Sequence, residues 1–373
     1  MKKIIYLTFN DAPSGIFSGQ VIDVCNYWKE LGFDVKLISF ISLRNFKENK
    51  NTITNSFSDA IVLPMFPKAR NWRLNSWVLG KKIRKVNPSI IVCRGVFAAN
   101  LGMQFRIGRK ICFDARGAYA AEFSEYDVLP DIKVNSEVEN LERISILESD
   151  FRMAVSEQLV NYWKIKYAYD CDKHVVIPCT LNRSALVTPD ASVITIRARL
   201  GFSLNSKVIV YAGSSAGWQS LKNMNDALLQ IFNSDPDVNL LLLTKEIGND
   251  MQILKMFPNR VKKLWLNSNE VGVFLAACDY GWLVRENSVT NRVASPVKCA
   301  EYLAAGLVLI VSNELGDYSN YVLKNKAGFI WNNEVPIDFL PKPTLEQKNR
   351  MLELSKNDFM KENYREQYYK ILE

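Results

Sequence analysis

Short apolar runs alternate with amphipathic stretches along most of this chain. The first run, "KKIIYLTF", shows no polar alternation, as expected of a strand buried on both faces. "APSGIFSGQ" then breaks the pattern with Gly15 and Gly19. After it, "VIDVCNYWKELG" places Val21, Val24, Cys25, Trp28 and Leu31 on one helical stripe, which Gly32 stops. "FDVKLISF" predicts the next strand and completes a β-α-β unit. "AIVLPM", "SIIVCRG", "KICFDARG" and "FRMAVS" are further short runs ending in small or polar residues, and "HVVIPCTLN" closes the set. "RSALVTPDAS" has the composition of a linker. The rhythm then restarts. "ITIRARLGF" predicts a short helix, "KVIVYAGS" a buried strand, "NMNDALLQIFNSD" a helix and "VNLLLLTK" a strand. "VKKLWLN" follows as an edge-like strand, "NEVGVFLAACD" as a helix, "YGWLVRE" as a strand, "SPVKCAEYLAAG" as a helix and "LVLIVS" as a strand. The tail from Thr344 is charged and helical.

This pattern predicts two doubly wound α/β units with parallel sheets, and 373 residues suit two domains better than one core. In such sheets ligands bind beyond the carboxyl ends of the strands, which for two facing units means a central cleft. The polar residues just after the strands are therefore the candidates. In the first half they are Gly15 and Gly19, which permit close backbone approach, and Arg94, Asp114 and Arg116. Asp114 either forms a structural salt bridge with one of these arginines or accepts a hydroxyl proton or hydrogen bond while an arginine holds an anion. In the second half, Gly213 and Ser214 end a strand. Arg285, Asn291, Arg292 and Lys298 gather cations and amide donors before a helix N-terminus, a setting suited to a diphosphate. Glu301 lies three residues beyond Lys298. The two either pair along the helix or make separate contacts, with the carboxylate accepting from the paired hydroxyls of a ribose.

Composition changes the picture in a few places. At 48% hydrophobic and 23% charged residues, the chain is ordinary globular material. Asn10 and Asp11 end the first apolar run too early for a signal peptide, and no segment has the length of a membrane span. The seven cysteines form no CxxC, which fits reduced thiols in a cytosolic protein. Cys171, His174 and Cys179 match no zinc spacing. GxGxxG and GxxxxGK[ST] are both missing, which disfavours a dinucleotide dehydrogenase and a P-loop NTPase.

The net charge of +8 is unevenly spread, for residues 61–113 contain no acid. That stretch holds Lys68, Arg70, Arg73, Lys81, Lys82, Arg84, Lys85, Arg94, Arg106, Arg109 and Lys110, with Phe66, Trp72 and Trp77 interleaved. It is either a solvated basic face or an attractor of an anionic membrane, a lipid phosphate or nucleic acid. Aromatic stacking platforms at motif spacing are not evident, which disfavours nucleic acid.

Several segments, in order and spacing, resemble the family-4 glycosyltransferases of the GT-B fold, of the bacterial surface-polysaccharide type. They are "HVVIPCTLN", "VIVYAGS", "NEVGVFLAACDYGWLV" and "SPVKCAEYLAAGLVLIVS". "SDFRMAVSEQLVNYW" resembles the segment that ends the family's first domain, and "FDARG" followed by Glu122 resembles a variant seen in some members. The resemblance implies a Rossmann-like acceptor-side domain over residues 1–182 and a nucleotide-sugar domain over 183–345. A C-terminal helix, 346–373, would cross back to the first domain.

Position by position, the resemblance puts Glu301, the second glutamate of an E-x7-E motif, on the donor ribose. The Pro296–Val297–Lys298 turn would offer backbone amides to the diphosphate or sugar, and Gly15 to Gly19 would lie under the donor phosphates. Three departures stand out. Val293 occupies the first glutamate position, the usual Arg and Lys after "YAGS" are missing, and the only histidine is His174. Arg285 and Arg292 are the expected replacements for the missing cations, and Asp114, Arg94 and Arg116 would face the acceptor.

The activity this implies is retaining, metal-independent transfer of a sugar from a nucleotide-diphosphate donor to a lipid-linked or growing surface glycan (capsule, O-antigen or exopolysaccharide). No cofactor is expected beyond that co-substrate. The expected location is cytoplasmic, peripheral on the anionic inner face of the plasma membrane, with no nucleic-acid partner. The alternatives are a GT-B nucleotide-sugar epimerase and a non-catalytic scaffold of a polysaccharide assembly complex.

Overall fold

The computed structural model describes residues 2–67, 69–126, 128, 132–187, 192–245, 251–332 and 340–373. Lys68 of the basic stretch and residues 188–191 of the expected linker lie outside them. The chain forms two compact units. One comprises Met1–Thr180 with Tyr364–Glu373, the other Leu181–Asn363.

The first unit is built on a sheet of seven parallel strands: β1 (Lys3–Phe9), β2 (Asp34–Ile41), β3 (Ala60–Pro64), β4 (Ile90–Arg94), β5 (Lys110–Asp114), β6 (Phe151–Ala154) and β7 (His174–Val176). Their order is β3-β2-β1-β4-β5-β6-β7. Six of the seven β1 residues are buried, which is why the run shows no polar alternation. The sheet order reverses between β1 and β4, so the chain leaves these adjacent strands toward opposite sides and opens a crevice at their carboxyl ends.

The region after β1 differs from the predicted glycine loop. Ser14 caps a helix that starts at Gly15, its Oγ accepting from the Phe17 amide at 3.1 Å. Gly19 falls inside a π-helical turn, Ser18–Ile22, and a regular helix resumes over Asp23–Glu30. Both glycines have helical backbone, and a Cβ at either would meet nothing within 4 Å. Neither is therefore required by internal packing. Trp28, on the predicted stripe, is fully buried against Tyr6 and against Tyr368 of the C-terminal Arg365–Leu372 helix, with ring centroids 5.5 and 6.1 Å away.

The second unit repeats the design with six parallel strands in the order β10-β9-β8-β11-β12-β13. They are β8 (Lys207–Ala212), β9 (Val238–Leu243), β10 (Val261–Leu264), β11 (Tyr280–Leu283), β12 (Val308–Ser312) and β13 (Gly328–Trp331). "VKKLWLN" does supply an edge strand, β10, and its partly exposed residues explain its mixed composition. The charged tail is divided. Its Leu345–Asp358 helix packs on Val297–Ala304 and β12 within the second unit, and the crossing falls at Tyr364. Met351 and Ser355 are buried on one side of that helix, an anchoring face that a charge-rich sequence hides.

All seven cysteines are free thiols, and burial pushes those of Cys25, Cys93, Cys112, Cys278 and Cys299 upward, so they stay protonated. No described helix is long and apolar enough to cross a membrane.

Candidate functional site

In the first unit, Arg94 ends β4 and Asp114 ends β5, in register with each other. Asp114 is fully buried. Arg116 Nε lies 2.8 Å from its Oδ1 and Arg116 Nη2 donates to Oδ2 at 3.0 Å. The Tyr6 hydroxyl also donates to Oδ2, and burial with the Asp114 charge pushes the Tyr6 phenol far up, so it keeps the proton it donates. Arg94 reaches across the switch point to Asp11, just after β1, with Nε 3.3 Å from Oδ2. Its Nη1 is buried without a hydrogen-bond acceptor among the described residues, and a carboxylate oxygen of Asp114 is 3.7 Å away.

The three predicted residues are thus brought together, with two aspartates balancing two arginines. Asp114 accepts two hydrogen bonds, from Arg116 and Tyr6, beside its ion pair with Arg116, the contacts of the structural salt-bridge alternative, while Arg94 retains a donor not matched among the described residues. Periodicity did not single out Tyr6, Asp11 or Gln20, whose Oε1 accepts from Arg116 at 3.4 Å. Only the position of Asp11 directly after a strand could have pointed to it.

A second carboxylate pair joins Glu122, on the helix after β5, Tyr119–Tyr126, to Glu142, on the following helix, Ile132–Glu148. Glu142 is buried and accepts from the amides of Tyr119 and Ala120 at 2.7 and 3.3 Å, at the N-terminus of the helix that carries Glu122. It also accepts from the hydroxyls of Tyr162 and Tyr167 at 3.1 and 2.7 Å. Glu122 has no such donors among the described residues. Burial, then the nearby Glu142 charge, push its carboxyl up to about 7. A raised acid pKa contributes stability below the ordinary carboxylate value and loses it as pH rises through the folded value. Glu122→Gln is therefore expected to be about 1–3 kcal/mol more stable than the native chain near pH 8, with the gap closing below about pH 4. Denaturant melts at both pH values check this, and a gap independent of pH would contradict it.

In the second unit the switch point lies between β8 and β11. Gly213 and Ser214 follow β8, and the Ser214 carbonyl accepts from the Tyr211 hydroxyl at 2.5 Å. Arg285 follows β11, its amide donating to Ser312 Oγ at 3.3 Å and its Nη1 to Asn291 Oδ1 at 3.4 Å. Asn291 is buried, and its Nδ2 donates to the carbonyls of Glu286 and Trp218 at 3.1 and 3.3 Å. Ser220 adds a second tie between the same loops, its Oγ accepting from the Glu286 amide at 2.8 Å. Asn291 thus positions the loops instead of presenting a free amide, a role its sequence position did not disclose. Arg292 is exposed and forms no ion pair among the described residues. Val293, at the position where a glutamate was due, is buried.

The Val297–Ala304 helix starts after buried Pro296, and that residue's side chain caps nothing. The amides of Val297 and Lys298 are in its first turn and have no acceptor among the described residues. Lys298 and Glu301 form an ion pair and are 25% and 29% exposed. A solvent-accessible pair of this kind, half-buried, contributes only about 0–1 kcal/mol, so a ligand that engages each partner separately opens it at small cost. Gly316 locks the loop after β12 under this turn. Its φ is +49°, its amide donates to the Asn291 carbonyl at 3.1 Å, and a Cβ would lie 2.1 Å from the Ala294 carbonyl oxygen. Gly316→Ala is expected to lower stability by about 1–3 kcal/mol and to displace the Ala294–Pro296 turn. Thermal melts read the first effect, and an unchanged melting temperature would contradict it.

No family model matches the chain, and no curated protein sequence does. Solved structures do. HepE of Anabaena in complex with UDP matches with a TM-score of 0.73 at 17% identity, over 100% of this chain and 99% of that one. The sucrose-phosphate synthase of Thermosynechococcus elongatus matches at 0.71 and 12% identity, over 100% and 97%. A putative UDP-N-acetylglucosamine 2-epimerase of Listeria monocytogenes matches at 0.57 and 12%, over 99% and 90%. At such identities the likeness shows the fold alone. The fold is GT-B.

Proposed function

We propose that this chain is a glycosyltransferase that moves a sugar from a nucleotide-diphosphate donor to a lipid-linked or growing surface glycan. The observation that carries the proposal is the second unit's switch point. There Gly213 and Ser214 follow one strand and Arg285 follows the neighbouring one, and the Val297–Ala304 helix that carries Lys298 opens with two amides unmatched among the described residues. A fixed set of donors of this kind suits a leaving diphosphate, because it stabilises developing negative charge without reorganising. Arg285, Arg292, Lys298 and the amides of Val297 and Lys298 take the diphosphate, and Glu301 accepts from the ribose hydroxyls. The GT-B fold supports this reading, and HepE has been crystallised with UDP and with UDP-glucose.

The transfer proceeds with retention and needs no bound metal, since the cations named take that part. The bond from anomeric carbon to phosphate oxygen breaks with its electron pair leaving on the diphosphate. The acceptor hydroxyl forms the new bond, and its proton passes to the departing phosphate. In the first unit Arg94 offers its unmatched Nη1 to the acceptor, while Asp11 and Asp114 hold its guanidinium and Arg116 fixes Asp114. The acceptor is borne by a lipid diphosphate at the anionic inner membrane face, as in capsule, O-antigen or exopolysaccharide assembly.

A thermal-shift series with nucleoside diphosphates and nucleotide sugars tests the core of this proposal. A ligand that binds only the folded state raises the melting temperature by mass action, by about 2.7 kcal/mol of stability at a hundredfold excess over Kd. No response to any nucleoside diphosphate overturns it. Isomerisation of a UDP-sugar without acceptor would instead identify an epimerase.

A further inference from the structure

Part of the acid-free stretch forms the Asn75–Val86 helix. That helix buries Leu79 and Ile83 and exposes Trp77, Lys81, Arg84 and Lys85. Trp77 is 67% exposed and Leu74, three residues earlier, 55%. One exposed apolar side chain is unremarkable in any protein, but two on one face, ringed by cations, form a patch. Lys81 Nζ lies 3.4 Å from the Trp77 ring centroid. The adjoining turn, residues 104–109, packs on the same helix. The Phe105 ring closes on Gly80, Arg109 donates to Asn87 Oδ1 at 3.4 Å, and Ile107 between them is 89% exposed.

On the other flank of this helix is a pocket of about 390 Å³ at the amino-terminal ends of β1 and β2, away from the strand ends that carry Arg94 and Asp114. Lys3, Lys36, Lys82 and Lys85 line it, against the single acid Asp34. Lys36 is paired with Asp59, whereas Lys3, Lys82 and Lys85 have no carboxylate partner among the described residues.

We infer that Leu74, Trp77 and Ile107, with the lysines of this pocket, form a docking face for an anionic lipid bilayer. The apolar side chains enter the interface and the pocket takes an acidic headgroup. An indole beside cations suits the headgroup layer, where its ring is apolar on one side and wet on the other. Single-stranded nucleic acid would want open aromatic faces for stacking, but Lys81 covers a face of Trp77 and Leu74 and Ile107 offer none. The bilayer as partner rests on the reading of a lipid-borne acceptor; the chemistry of the face does not depend on the donor site.

The test mixes the full chain with vesicles of phosphatidylcholine alone or with phosphatidylglycerol added, at low and high salt. Sedimentation with the anionic vesicles only, reduced by salt, is expected. Each cation near the surface multiplies binding roughly fivefold, so Lys81→Gln, Lys82→Gln and Lys85→Gln together should weaken it by about 100-fold. Leu74→Ser with Trp77→Ser should remove the binding that survives high salt, with an unchanged melting temperature. Quenching of tryptophan emission by brominated lipid should fall in Trp77→Phe. Absence of sedimentation with anionic vesicles overturns the inference. So does binding that all these variants leave intact, or tighter binding to DNA that competes the chain off the vesicles. Nucleotide thermal shifts on the same samples keep a failure of the glycosyltransferase reading separate.

Discussion

Asp279→Ala is expected to lower the unfolding free energy by about 3–5 kcal/mol, the cost of leaving buried charges without their counter-ion. Asp279 lies just before β11 and is fully buried. Arg197 Nη2 lies 2.6 Å from its Oδ2, Lys348 Nζ lies 2.8 Å from its Oδ1, and the Val208 amide donates to it at 3.0 Å. Arg197 also donates to the carbonyls of Ala277, Ser203, Leu204 and Ser206 at 2.8 to 3.2 Å. Removing the carboxylate therefore loosens the Ser192–Leu200 helix, the entry to β8 and the tail helix together. Burial alone would raise this carboxyl, but Lys348 and Arg197 outweigh burial and hold it below the usual range. A depressed acid contributes stability above its unfolded value, near about 3.9, and loses it as pH falls through the folded one. The native chain should thus lose more stability on acidification than the variant. Urea melts at neutral and acid pH measure both effects, and a loss under about 1 kcal/mol at neutral pH would contradict the network's role.

Lys298→Ala is expected to do the opposite, leaving stability within about 1 kcal/mol while reducing sugar transfer about 10²- to 10³-fold. The asymmetry follows from exposure. Asp279 has no water to return to, but the half-buried Lys298–Glu301 pair does. The measurement is a melt beside a radiolabelled donor assay, in hydrolysis mode if the acceptor is not in hand. A variant that transfers normally removes Lys298 from the diphosphate site, and one that unfolds assigns the pair a structural role.

Both sheets were legible from uninterrupted apolar runs, because a strand buried on two faces has no polar positions to alternate. The helices were less so. Phe46–Ser56 buries only Ile53, and periodicity predicts no element there or over Ile132–Glu148. Strand ends led directly to Arg94, Asp114, Arg116 and Arg285, since the chain must emerge there. Their partners were not legible. Tyr6 meets Asp114 across 108 positions, a pairing that exists only once β1, β4 and β5 are aligned. An amide in a loop before a helix, like that of Asn291, can serve a ligand or tie loops together, and its ties to Arg285, Trp218 and Glu286 appear only in the fold.

The π-helical turn at Ser18–Ile22 acts as a phase shifter. One extra residue per turn offsets everything downstream by about 100° relative to an uninterrupted helix. It lets the chain satisfy two faces in conflict. Val24, Cys25 and Trp28 keep their stripe on the sheet, while the Gln20 carbonyl turns toward Arg116 and Tyr6, at 3.5 and 3.4 Å. A length change of one residue in this segment would set core and strand-end cluster against each other, whereas substitutions at the open positions Gly15 and Gly19 would leave the phase intact.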